Sequence, residues 1–180
     1  GTGGLTTKLF WDWWDFTRDP AALERAYPFL RGMADFDCRA VNPRDGLYLS
    51  TYSASPEQRR GVERNESESG AEGIYTTVGC TFDQGMILEN DTDFLRAHAL
   101  LGRPEDALTA AVREHLDRLD PFLIGADGQL KEFREETHYG DIGERNHRHI
   151  SHLCSLAPGE RLNRRETPAF AAAAKRTLDL

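Results

Sequence analysis

Residues 5 to 36 read LTTKLFWDWWDFTRDPAALERAYPFLRGMADF, and the spacing of their apolar residues decides the fold class. Between Leu5 and Thr17, the residues Leu9, Phe10, Trp13, Trp14 and Phe16 recur at helical spacing. Between Pro20 and Val41, Leu23, Ala26, Tyr27, Leu30, Met33 and Ala34 do the same. An apolar stripe of that period marks a helix face turned to a core. The intervening TRDP supplies the turn, with Asp19 as N-cap and Pro20 at the first helical position, where its missing N–H costs nothing. The stretch is therefore a helical hairpin.

The same device returns downstream. Phe82, Met86, Ile87, Phe94, Leu95 and Leu101 carry one helical period, and Ala107, Leu108, Ala111, Val112, Leu116 and Leu119 carry the next. A last helix opens at TPAFAAAAKRTLDL with Thr167 as N-cap and Pro168 behind it, and it runs to Leu180 without a Gly, Asn or Pro stop. On that ground the chain is expected to be a piece of a larger protein.

Between the helices the character changes. NPRDGLYLSTYSASPE, residues 42 to 57, offers turn chemistry, a β-prone run from Leu47 to Tyr52 and a Ser-Pro loop. RRGVERNESESGAEG, residues 59 to 73, is polar and aperiodic and reads as a surface loop. IGADGQLKEF, residues 124 to 133, is a Gly-rich turn entering a short extended stretch; strand alternation there would set Leu130 and Glu132 opposite Gln129, Lys131 and Phe133. Residues 135 to 163 are rich in loop formers. Helical hairpins whose long loops carry the unusual polar residues suggest an all-α fold, an α/α toroid with a site at one end; an all-helical bundle is the alternative. No fixed-period sequence repeat marks the hairpins.

The 180 residues, 39% of them hydrophobic, suffice for one ordinary domain with a sizeable core. A net charge of −8 speaks against a nucleic-acid partner, which requires clustered Lys and Arg to displace counterions from phosphates. No run approaches the roughly 18 apolar residues of a membrane span. Three widely spaced cysteines, Cys38, Cys80 and Cys154, form neither a disulfide framework nor a Cys-x-x-Cys motif. Nothing in the sequence identifies a compartment.

NHRHISHL, residues 146 to 153, holds three of the six histidines. Imidazole is a common metal ligand, and His149 and His152 at i, i+3 could share a helical face. No neighbouring Cys and no His-Glu-x-x-His accompanies them, so the segment does not point to a metal. Hydrogen-bonded buried histidines are a second reading. The third is a pocket wall: sugar hydroxyls both donate and accept, and neutral His, Asn, Gln, Arg and carboxylates answer them. Arg148 could alternatively serve in a structural ion pair.

Glu57 follows Ser55-Pro56 on a loop, where proline fixes the backbone; a carboxyl in a partly buried loop can keep a proton to donate near neutrality. A solvated surface charge is the plainer reading. TFDQ, residues 81 to 84, reads as helix capping by Thr81 or Asp83, or as alignment of a substrate or neighbouring carboxylate. Glu132 is a pocket candidate, with a surface ion pair as alternative.

Taken in order, FWDWWDFTRDPAALERAYPFLRGMADF, GLYLSTYSASPEQ, TFDQGMI, ALLGRPEDAL, IGADGQLKEF and HRHISHLCSLAPGE resemble successive landmarks of the glycoside hydrolase family 95 catalytic domain, the inverting 1,2-α-L-fucosidases. The likeness covers nearly the whole chain and is most specific at IG-x-x-GQL-x-E followed by HRH-x-SHL-x-x-x-x-PG. It implies that residues 1 to 180 are part of a single (α/α)6 barrel acting without a metal or other cofactor on α-linked L-fucose, or L-galactose, in an oligosaccharide. It implies Glu57 as general acid, with Gln58 where the family commonly has Asn. It implies a sugar subsite lined by His147, Arg148, His149 and His152, with His147 and His149 in direct contact; the pocket candidate Glu132 and the acid's neighbour Gln58 join them as expected substrate-binding residues. Lys131 and Phe133 depart from the family's Gln-Glu-Trp ending, which changes a possible aromatic platform.

An inverting hydrolase also needs a base across the ring from the acid. The family resemblance puts that task on an Asn-x-Asn motif upstream and an aspartate downstream, and neither motif occurs here. The chain is then expected to hold the acid half of the machinery, to need the remainder of the same catalytic domain, and not to turn over alone. A noncatalytic carbohydrate-binding or scaffold relative, or another (α/α)6 carbohydrate-active enzyme, are the competing expectations.

Overall fold

The computed structural model describes residues 1–59 and 75–180. All but Arg59 of the polar stretch 59–73 therefore lies outside the described residues. The elements run α1 (Thr2–Thr17), α2 (Pro20–Ala40), β1 (Val41–Arg44), β2 (Leu47–Ser50), α3 (Thr81–Leu100), α4 (Ala107–Asp117), a 3-10 turn at Ser151–Leu153, and α5 (Pro168–Leu178). The chain is helix-rich: α1 packs along α2 and both pack on α3, and α4 packs on α2 and α3.

Asp19 caps α2 by accepting from the Ala21 N–H at 2.9 Å. Asp106 and Thr109 cap α4 reciprocally. Thr167 behaves differently from the N-cap expected of it: its side chain makes no cap bond to α5, and its hydroxyl instead accepts from the Asn163 N–H at 2.8 Å. The turn at residues 42 to 46 is shorter than the sequence implies. Residues 41 to 44 form β1, paired antiparallel with β2, and Asp45-Gly46, both at positive φ, make the two-residue reversal.

Trp11, Leu23, Tyr27, Leu30, Phe94 and Val112 interlock α1 to α4 in one core. A second cluster, Phe122, Leu130, Leu153, Leu162, Ala173 and Ala174, seats α5 on the long loops. The aromatic stripe of α1 is not its core face. Gly4, Thr7, Lys8 and Trp11 are buried, whereas Leu9, Trp13 and Phe16 are exposed. Small residues bring α1 close to α3: a Cβ on Gly4 would run into the Met86 carbonyl, and Thr7 hydrogen-bonds Asn90 at 2.8 Å. Close approach thus decides the inward face, and the larger aromatics turn out.

The extended stretch 129–133 also departs from strand alternation. Gln129, Leu130, Glu132 and Phe133 are all buried, and only an isolated bridge pairs Ile124 with Leu130. Protein covers both of its sides, so period two has no solvent face to report. Phe133 packs with Cys80, Phe82 and Met86 beneath the loop that carries Glu57.

Candidate active site

The Glu57 loop starts from β2 and is held from below. Ser53 exchanges backbone hydrogen bonds with Thr77 (2.9 and 2.7 Å), its hydroxyl donates to Asp83 at 2.6 Å, and that hydroxyl accepts from the Cys80 N–H at 3.0 Å. Gln84 clamps the preceding strand, accepting from the Ser50 N–H at 2.8 Å and donating to the Tyr48 carbonyl at 3.1 Å. TFDQ therefore does little capping. Thr81 donates to the Lys131 carbonyl at 2.6 Å, and the motif ties the start of α3 to the loop bearing the carboxylate.

A buried layer lies under the loop. The Ser55 hydroxyl donates to Glu132 at 2.5 Å, and Gln58 accepts from the Glu144 N–H at 2.7 Å. His152 is fully enclosed, with Nδ1 3.6 Å from Glu132 and its ring against Tyr139. Glu136 accepts from the Glu132 N–H at 2.6 Å. Burial, reinforced by the Glu132 carboxylate, pushes Glu136 up to about 8. Burial likewise pushes Tyr139 up to about 12.

The outer layer is accessible. Glu57 is paired with the Arg148 guanidinium, and His149 Nε2 is 3.6 Å from the same carboxylate oxygen. The Ser151 hydroxyl donates to the Pro56 carbonyl at 3.1 Å, fastening the two segments. His147 stacks near His149, and its Nδ1 accepts from the His149 N–H at 3.1 Å. Beside them opens a groove of about 420 Å3 lined by Arg148, His149, Ile150, Ser151 and Leu178 among others.

The structure thus gathers Glu57, Arg148 and His149 at the surface, with His147 next to His149. It puts Glu132, Gln58 and His152 in the layer beneath. Ser55, Ser151, Asp83 and Gln84 hold the site without having been singled out as individual site residues. Ser55 lies two residues before Glu57, Ser151 within NHRHISHL, and Asp83 and Gln84 within TFDQ, but the long-range hydroxyl, carboxylate and amide bonds that pair them with the loop leave no spacing in a sequence. Among the described residues, no three His, Cys, Asp or Glu groups are arranged to hold a metal ion.

Residues 2–180 match the model of the glycosyl hydrolase family 95 catalytic domain. The chain belongs to that family. Alpha-L-fucosidase 2 of Arabidopsis thaliana is 28% identical over 170 residues, which are 93% of this chain and 19% of that protein. Probable alpha-fucosidase A of Aspergillus niger is 28% identical over 160 residues, 88% of this chain and again 19% of the relative. The protein of the same name in Aspergillus oryzae is 36% identical over 86 residues, 47% of this chain and 12% of the relative. This family 95 chain therefore spans about a fifth of the length of the first two curated relatives.

Proposed function

We propose that this family 95 chain forms the acid-bearing part of an inverting α-L-fucosidase. Glu57 protonates the leaving glycosidic oxygen while water attacks the anomeric carbon through an oxocarbenium-like transition state. The observation that carries the reading is the convergence of Arg148 and His149 on an accessible Glu57 whose loop is fixed by the buried Ser55–Glu132 bond. Rigid support beneath an open carboxylate is what a positioned proton donor needs. Donation requires the Glu57–Arg148 pair to part as sugar hydroxyls take up the guanidinium donors, and Glu57 to take up a proton from solvent before it gives one to the leaving oxygen, with His147 and His149 reading further hydroxyls. Gln58, Glu132 and His152 act on the sugar through the shape they give this wall.

The same reading gives the complete domain an (α/α)6 barrel. Its further hairpins cover the apolar flank formed by Leu9, Trp13, Phe16, Phe29 and Phe36, all exposed in this chain. That flank, on a chain spanning 19% of its relatives, supports the remainder of the domain as its partner. The base lies in that remainder. Fucose release from 2′-fucosyllactose by the 180-residue chain alone is expected to be undetectable, and appreciable turnover would overturn the division of labour.

A further inference from the structure

Tyr52 is the most conspicuous side chain that the proposed chemistry leaves unused. It is 90% exposed, and its backbone sits at φ 51°, a conformation that L residues other than Gly, Asn and Asp rarely adopt. Among the described residues it makes no hydrogen bond and no ring contact. The conformation is imposed from both sides: the Thr51 N–H donates to the Ala40 carbonyl at 3.2 Å, and Ser53 is pinned to Thr77, Asp83 and Cys80. A tyrosine held outward by so many bonds, at a backbone cost, is a feature to be explained by what it meets.

It overhangs a groove of about 550 Å3 lined by Asn42, Thr51, Thr77 and Glu135, together with Thr76 and Val78. Glu135 accepts from the Thr77 hydroxyl, and the Asn42 amide donates to the Thr51 hydroxyl at 3.4 Å. An exposed aromatic face above hydroxyl, amide and carboxylate groups is the composition that holds a neutral pyranose: C–H faces stack on the ring and hydroxyls meet the polar groups. Among the described residues, no Lys or Arg lines the groove, which does not favour an anionic ligand.

The position is equally specific. Tyr52 lies five positions before Glu57, at most about 17 Å of extended chain. The intervening loop touches the Arg148–Ser151 segment through Pro56 and Glu57, and pairs with Tyr75 and Thr77 through Gln58 and Ser53. The groove beside His149 and the groove at Tyr52 are therefore each lined by residues bonded to the loop that carries the proton donor.

We propose that Tyr52 and its groove form the leaving-group subsite, binding the neutral sugar from which fucose is cleaved. This rests on the fucosidase reading for its role, while the sugar-binding claim can be tested apart from it. Chemical-shift titration of the 180-residue chain with lactose is expected to move the Tyr52 and Thr77 signals. Tyr52→Ala is expected to weaken lactose binding by about tenfold or more, the loss of one good stacking contact. Tyr52→Phe, which keeps the ring, should stay within about threefold. L-fucose is expected to shift Arg148 and His149 equally in all three proteins. Lactose that leaves Tyr52 and Thr77 unmoved, or that binds the alanine variant as well as the parent, overturns the subsite. L-fucose binding that falls with Tyr52→Ala as far as lactose binding does overturns its assignment to the leaving group. Lactose at Tyr52 with no L-fucose at His149 supports the sugar site and contradicts the fucosidase reading, so the two failures are distinguishable.

Discussion

Between α1 and α4 the large side chains that meet in the central cluster are apolar: Trp11, Leu30, Phe94 and Val112 are completely buried, while α3 adds buried polar groups along its length, Glu89, Asn90 and Asp91 among them. Under the Glu57 loop Ser55, Gln58, Glu132, Glu136 and His152 are buried alongside Phe133 and Tyr139. The helical half combines non-directional burial, which tolerates small shifts of one helix on another, with a few buried polar ties such as Thr7–Asn90 and Tyr27–His98. The loop-built half is held by directional bonds between desolvated groups, which fix one geometry at an energetic cost. A scaffold can be built from the first kind of contact. A proton donor that must meet an oxygen within hydrogen-bond reach needs the second.

The largest effect that would sharpen this contrast lies in the helical core. Trp11→Ala is expected to cost about 3–5 kcal/mol, read from urea unfolding, because a fully buried indole leaves a cavity between helices that cannot collapse. Next comes a carboxylate misplaced in the helical half. Asp37 is buried on α2, and burial pushes it up to about 7, with the Asp83 carboxylate adding to the effect; the similarly buried Asp91 is raised well above its ordinary value, mainly by burial and then by Asp37. The folded chain thus keeps a proton on Asp37 that the unfolded chain releases above about pH 4. Its contribution is fully present below that pH, drains as pH rises, and levels off past about 7. Asp37→Asn is expected to spare ~2–4 kcal/mol of that loss at pH 8 and little at pH 4, checked by unfolding at both values. An equal effect at the two pH values would contradict the buried, protonated state.

In the loop-built half, Ser55→Ala removes the donor to the buried Glu132 and is expected to cost about 1–3 kcal/mol. Because it loosens the Glu57 loop, it should lower turnover in the complete catalytic domain more than it weakens L-fucose binding. A variant that loses both in proportion would show general unfolding rather than loss of positioning. The smallest effect is expected at Phe16, 88% exposed in spite of its size; Phe16→Ala should change the stability of this chain by less than about 0.5 kcal/mol.

Phe16 also shows where sequence reading reaches its limit. Helical period located α1 to α4, Asp19 and Pro20 marked the start of α2, and Pro168 marked the start of α5, because those signals are local. It could not say which stripe of α1 faces inward, since Gly4 and Thr7 win that face by allowing α3 to come close, a property of the partner helix. In the site, the segment NHRHISHL and the Ser-Pro-Glu57 loop stood out by composition, and the fold joins them through Ser151–Pro56 and Arg148–Glu57 across about ninety residues of sequence. The depth of each residue was not legible. His152 and Glu132 lie beneath the loop while His149 stays accessible, a difference set by tertiary packing around Phe133 and Tyr139. Tyr52 gave no sequence signal beyond the end of a β-prone run, because its exposure and positive φ come from the bonds that pin its neighbours.

The most direct test of the account is fucose release from 2′-fucosyllactose by the complete catalytic domain, carrying either Glu57 or Glu57→Gln, with L-fucose binding measured in parallel. The predicted result is a fall in kcat of about 10²–10⁴ with binding largely kept, because the amide preserves shape and cannot donate the proton. Unchanged turnover in the Glu57→Gln protein would contradict the role of Glu57 and with it the central claim.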